Sequence, residues 1–194
     1  MNTAVDYWKA QLDKATPEKR KILIARLILH AQAERVRLDS FNVSSAYEWI
    51  VKNKFTNENG VPMEFGDRDF LIQPLCDESR LLAVIKCAQI GFSTISIFKT
   101  IYHNVKHGYN VIYTLPTDSD AEEFSKAKTN RIIENNPAIR NFMIDDSLHT
   151  KSFRTLDDSN VGFWLMKGTH GRSASIMQTA DILIKGLTVA ISRY

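Results

Sequence analysis

The stretch Lys86-Cys87-Ala88-Gln89-Ile90-Gly91-Phe92-Ser93-Thr94 constrains this chain more than any other. It follows the apolar run Leu81-Leu82-Ala83-Val84-Ile85 and precedes Ile95-Ser96-Ile97-Phe98-Lys99, which continues as a helix. Strand, tight loop and helix are the setting in which backbone amides cradle phosphate groups. The usual pattern for such a loop is G-x-x-x-x-G-K-[ST]. With Gly91 as the second glycine, Lys86 stands at the first glycine's place, Phe92 at the lysine's and Ser93 at the hydroxyl's. A loop of this kind works through inward amide N–H groups and the positive end of the following helix. Gly91 permits the close approach and Ser93 offers a hydroxyl for magnesium. The cation against the outer phosphates is missing from its usual position. Lys86 can supply it from the far end of the loop, because its long stem can fold back. The alternative is a lysine that ends a strand with its head in solvent.

The surrounding rhythm is that of an α/β domain. Leu81–Lys86 reads as a buried strand, Ser93–Lys106 as a helix closed by His107-Gly108, and Asn110–Leu115 as a second strand. Thr117 caps a helix over Asp118–Asn135, with acids in its first turn and bases later, and Pro137 stops it. Thr150–Leu156 and Val161–Met166 read as a hairpin, and Asp181–Ile184 as a last short strand. Strands alternating with helices predict a largely parallel sheet flanked by helices.

Residues 1–60 read differently, as a helical segment. Thr16-Pro17 starts one helix, with Ile24, Leu27, Ile28 and Ala31 at helical spacing, and Ser45-x-x-Glu48 has the form of a capping box. Asn57-Glu58-Asn59-Gly60 breaks the pattern, so the expected domains are 1–60 and 61–194. The basic helix face of Lys19, Arg20, Lys21 and Arg26 reads as solvated, with contact to DNA or a partner as the alternative. Net charge is +3, which permits nucleic-acid binding without arguing for it. Cys76 and Cys87 have no metal-ligand spacing, and two cysteines make no disulfide framework. No run approaches the ~18 apolar residues of a membrane span. The expectation is a cytoplasmic protein with no membrane role.

Taken together, these motifs resemble the large terminase subunit of tailed bacteriophages, nearest to the lambda-like branch. In that family the lysine opens the phosphate loop and an aromatic can replace the usual one, as KCAQIGFST does with Lys86 and Phe92. Phe70-Leu71-Ile72-Gln73 resembles the family's adenine-recognising motif. Leu115–Phe124 resembles the segment after its second strand. Gly162-Phe163-Trp164 and Gly171-Arg172-Ser173-Ala174 resemble the approach to its Walker B strand.

The resemblance implies a P-loop NTPase-type fold and a motor that uses ATP and Mg2+ to drive double-stranded DNA into a procapsid through a portal. A small terminase subunit recognises the packaging site. It also implies a nucleotide site made of Lys86, Gln89, Gly91, Phe92, Ser93, Thr94 and Gln73. In it Ser93 lies on magnesium, Thr94 on an inner phosphate and Gln73 on adenine. Plainer readings stand beside these: a surface glutamine before Pro74, and ordinary hydroxyls at a helix start. Arg172 is a possible sensor of the outer phosphate or an ordinary loop arginine. Asp118 and Asp120 read as helix-dipole acids rather than a metal pair, and Phe163 and Trp164 as core.

One part of the family pattern is missing. The apolar strand 180–185 should be followed by an acid for magnesium and a glutamate to activate water. The sequence continues Gly186-Leu187-Thr188-Val189-Ala190-Ile191-Ser192-Arg193-Tyr194, and Asp181 stands at the strand's start. A reading frame shifted near Lys185 accounts for this pattern, and a gene fragment or genuine divergence are the alternatives. The family's nuclease domain has no counterpart in the chain. The expectation is therefore an incomplete ATPase domain that binds ATP and hydrolyses it very slowly. The competing expectation is a non-enzymatic remnant that binds a packaging partner through its N-terminal helices.

Overall fold

A computed structural model describes residues 3–40, 42–79, 82–84, 86–169 and 180–185. The chain divides into two units, Met1–Asp39 and Ser40–Tyr194. The first holds α1 (Thr3–Asp13) and α2 (Pro17–Ser40). Pro17 opens α2 as its fixed φ allows, and the Arg20 N–H bonds to the Thr16 carbonyl at 2.8 Å. Of the basic face, Arg20 is engaged locally, because its Nε donates to the Leu12 carbonyl at 2.9 Å and closes the end of α1.

In the second unit, α3 (Ala46–Lys52) is capped by Ser45, whose hydroxyl accepts the Glu48 N–H at 3.2 Å. Only half of the expected capping box forms. The Glu48 carboxylate turns instead to Ser44, accepting from its backbone N–H and hydroxyl at 2.7 Å each. The strand expected at Leu81–Lys86 is corrected as well. Leu82, Ala83, Val84 and Lys86 lie outside any strand and are exposed, while Leu81 and Ile85 fall outside the described residues. Apolarity does not make a strand unless a neighbour takes up its N–H and C=O groups.

A 3-10 turn (Gly66–Leu71) runs into the short α4 (Ile72–Cys76), which precedes the loop. The helix after the loop forms as expected. This α5 (Phe92–His107) ends on Gly108, whose left-handed backbone (φ 67°) lets its N–H reach the Asn104 carbonyl. After it come β1 (Val111–Leu115) and α6 (Asp118–Phe124). Thr117 and Asp120 make a complete capping box at α6, and Asp118 accepts the Gly168 N–H at 2.8 Å, so both acids are engaged in holding the fold. A π-helical turn at Ser125–Thr129 leads into α7 (Asn130–Asn135). Pro137 does more than stop this run. It occupies the first turn of α8 (Pro137–Arg140), where its missing N–H costs nothing.

β2 (Met143–Asp146), unforeseen in the sequence, pairs antiparallel with β3 (Thr150–Arg154), which pairs antiparallel with β4 (Val161–Gly168). β1 lies between β4 and β5 (Ile182–Lys185), parallel to both. The sheet order is β2-β3-β4-β1-β5. The fold is thus α/β, with helices flanking a sheet that is parallel around β1 and ends in an antiparallel hairpin extension.

α5 is the centre of the core. Ile97, Phe98, Ile101 and Val105 are buried with Trp49, Phe55, Trp164 and Met166. Trp164 is core as expected, but its neighbour Phe163 is half exposed, because successive strand residues face opposite sides of the sheet. Asn104 ties α5 to the sheet: its Nδ2 donates to the carbonyls of Tyr109 (2.6 Å) and Phe163 (3.1 Å). Gly162 allows this approach, since a Cβ there would stand 2.7 Å from the Asn104 carbonyl oxygen. Gly162→Ala should therefore destabilise the fold by about 1–3 kcal/mol, because backbone rather than a pliable side chain must move. Thermal denaturation measures this. An unchanged Tm would show that α5 is not held this closely to β4.

Candidate functional site

The loop before α5 keeps the glycine turn and the following helix that the sequence predicts, without a strand at the described residues 82–84 and 86 ahead of it. Gln89 (φ 61°) and Gly91 (φ 90°) both lie in the left-handed region. For Gly91 this conformation is free of side-chain strain, whereas for Gln89 it is uncommon and depends on the surrounding turn. Gly91 is the N-cap of α5, and its carbonyl accepts the first helical bond from the Ile95 N–H at 3.2 Å. The amides of Phe92, Ser93 and Thr94 precede that bond and so have no partner within the helix. The chain turns sharply twice, then presents a helix N-terminus with free donors and no acid between Lys86 and Thr94. A helix N-terminus of this kind suits an anion.

The side chains of the loop divide into two groups. Lys86 and Gln89 are exposed, and the only hydrogen bond of the Lys86 ammonium among the described residues is a long one (3.5 Å) to the Cys87 carbonyl. Phe92, at the position of the usual lysine, packs at the edge of the hydrophobic core. The Ser93 hydroxyl has no partner among the described residues. The Thr94 hydroxyl, in contrast, donates to Glu58 Oε2 at 3.1 Å, and the other Glu58 oxygen lies 3.5 Å from the Lys128 ammonium. Sequence reading passed over Glu58. It lies 36 positions before Thr94 and comes to the loop only because Asn57 organises a turn, accepting the N–H groups of Asn59 and Val61.

Gln73 is exposed on α4, one residue before Pro74. Its segment is held to α5 by Lys99, whose ammonium donates to the carbonyls of Pro74 (3.0 Å) and Asp77. The 3-10 turn just ahead touches the loop directly. A Cβ on Gly91 would stand 3.5 Å from Leu71 Cδ1 and 3.7 Å from Arg68 Nη1. Arg68 is a second residue that sequence reading missed, since nothing in its spacing relates it to the loop. Arg172 lies outside the described residues, as do 186–194. Among the described residues no three His, Cys, Asp or Glu side chains come together as a metal cluster. Asp181 accepts the Asn110 N–H at 2.7 Å, a bond that holds the start of β5 to β1.

Below the loop a cavity of about 440 Å3 runs along α5 between the 74–84 segment and β5. Lys99, Thr100 and His103 face it from the helix, and Leu82 and Val84 from the other side. His103 is buried, stacks on Tyr109, and has its pKa pushed down to about 4, chiefly by loss of solvent. Glu78, 3.6 Å away, favours the proton, but it is largely exposed, and Lys99 and His107 oppose it.

A pH effect follows from His103. The unfolded chain takes up a proton near pH ~6.5 while the folded chain resists until about 4, so stability should be full above ~6.5 and fall as pH drops through that window. The loss should reach at most about 3 kcal/mol. Urea midpoints between pH 8 and 4, compared with those of His103→Gln, isolate the contribution. Equal pH dependence in the two chains would remove His103 as its source.

Comparison with known proteins identifies the family. A family model described as phage terminase large subunit gpA, ATPase domain, matches residues 61–184. No curated protein and no solved structure matches the chain. The match spans more than half of the chain, and within it lie the strained loop, α5 and the strands on which they rest. The protein is a member of the phage terminase large subunit gpA ATPase-domain family.

Proposed function

We propose that this chain binds ATP at the loop 86–94. The observation that carries this reading is the left-handed pair Gln89 and Gly91, which opens onto the free N-terminal amides of α5 within the family-matched region. The amides and Gln89, Gly91, Phe92, Ser93 and Thr94 form the wall around the phosphates, and the exposed ammonium of Lys86 folds over them. Gln73, on the segment that Lys99 fixes to α5, reads the adenine edge.

The Ser93 hydroxyl, with no partner among the described residues at the helix start, fits a ligand of Mg2+. A bound Mg2+ would supply charge neutralisation at the outer phosphates. Thr94 already donates to Glu58, so its contact with an inner phosphate comes at the expense of that bond or through its backbone amide. Arg172 is proposed as a sensor of the outer phosphate on sequence grounds alone.

Hydrolysis is proposed to be slow. The sequence after Ile184 reads Lys-Gly-Leu-Thr-Val-Ala-Ile-Ser-Arg-Tyr and contains no acid. Asp181 is at the wrong end of β5 and already bonds Asn110. Without an acid after the strand, magnesium loses a ligand and water loses its base. As a member of its family, the chain is proposed to act in DNA packaging, with double-stranded DNA, a small terminase subunit and the portal as partners. No helix among the described residues is long and apolar enough to cross a membrane.

Two measurements test this reading. Mg2+ and ATP should raise the melting temperature of the wild-type chain, and Lys86→Ala should abolish the rise. A wild-type chain that ATP leaves unshifted would overturn the nucleotide site and favour partner binding by the N-terminal helices. Phosphate release from the same samples should stay at background, and turnover comparable to a working packaging ATPase would overturn the proposed defect.

A further inference from the structure

The loop lacks a cation at its usual place, and Lys86 stands alone at the far end of it. The structure brings a second one. Arg68 lies in the 3-10 turn Gly66–Leu71, which is anchored by the buried side chains of Phe65 and Leu71. Leu71 packs on Gly91 from that turn, and Arg68 Nη1 stands beside it, 3.7 Å from where a Cβ on Gly91 would be. The backbone at Arg68 leaves the helical region (φ −130°, ψ 32°), so the turn is broken at this residue. The guanidinium is exposed and, among the described residues, no carboxylate or carbonyl holds it. The carboxylate that the structure does place by the loop, Glu58, is occupied by Thr94 and Lys128. An unpaired guanidinium at a glycine whose neighbours offer free amides is suited to bidentate contact with phosphate oxygens.

We propose that Arg68 is a phosphate-binding residue of this site, contacting the outer phosphates of a bound nucleoside triphosphate across Gly91. Lys86 and Arg68 then approach the phosphates from opposite ends of the loop and together replace the lysine that Phe92 displaced. The assignment rests on the ATP site proposed above. It concerns affinity for the outer phosphates and leaves base recognition to Gln73.

The test compares ATP, ADP and AMP binding, with Mg2+, by calorimetry on the full chain. Arg68→Gln should weaken ATP by about tenfold or more, as expected for a lost charge-assisted hydrogen bond, with a smaller effect on ADP and none on AMP. Arg68→Lys should recover part of the loss. Arg154→Gln, which makes the same charge change beyond the far end of α5, should bind ATP like the wild type. Equal ATP affinity in wild type and Arg68→Gln would overturn the assignment while leaving the loop reading intact. An equal loss for ATP and AMP would also overturn it, because a structural role weakens both. A wild-type chain that binds no ATP would overturn both readings. Should Arg68→Gln not fold, wild-type protein still decides: ATP should protect Arg68 from phenylglyoxal, read by peptide mass, and modification at an undiminished rate would sink the assignment.

Discussion

The burial of α5 is the interaction on which the rest of this structure depends. One face of the helix meets Trp49 and Phe55, with Phe98 lying parallel to Phe55 at 5.7 Å between ring centres. The other meets the sheet through Asn104, where Gly162 removes the Cβ that would keep the two backbones apart. A helix of this length, isolated in water, has little stability of its own, so its position is set by packing. Because α5 is fixed at its far end and along its sides, its N-terminus is presented in a fixed place. The loop 86–94 is therefore a feature of the packed core as much as of its own sequence.

The same packing explains how distant residues come to the loop. Leu71 is buried, and this brings Arg68 over Gly91. Asn136, itself buried, accepts the Thr56 N–H at 2.9 Å and donates to the Thr56 carbonyl at 2.8 Å, so the segment leading to Glu58 is fastened to the end of α7. Lys128 reaches Glu58 from the π-helical turn between α6 and α7. Thr94, Glu58 and Lys128 thus connect the loop to the helices that follow β1. That turn is a place where the hydrogen-bond ladder is already irregular, and such turns are often found at functional positions.

Much of the fold was legible because its signals are local. Gly108 after a run of helical spacing, Thr117 followed by Asp120, and the short apolar run Val161–Met166 each specify their element within a few residues. The misreadings share one cause. Leu81–Lys86 has the composition of a strand, yet Leu82–Val84 lie against a cavity with no ladder, since pairing is decided by what lies alongside. Pro137 does end the run begun at Thr117, as read; what the sequence did not show is that a short helix starts at Pro137 itself, because Pro suits a first turn. Glu48 chose Ser44 over Ser45, a difference of one residue that no spacing rule resolves. β2 is short and mostly exposed, so it has no apolar run to announce it.

The sequence by itself determined the loop, its glycine, the helix behind it and the order of motifs that identifies the family. These depend on residue type and short spacing, which are properties of the chain. It also determined that the ten residues 185–194 carry no acid, a fact of composition alone. Only the tertiary structure decided that Arg68 and Glu58 belong beside the loop, that Thr94 has a carboxylate partner, and that Lys99 holds the Gln73 segment in place. Those contacts join residues tens of positions apart. They follow from how buried side chains pack, and no local pattern encodes that.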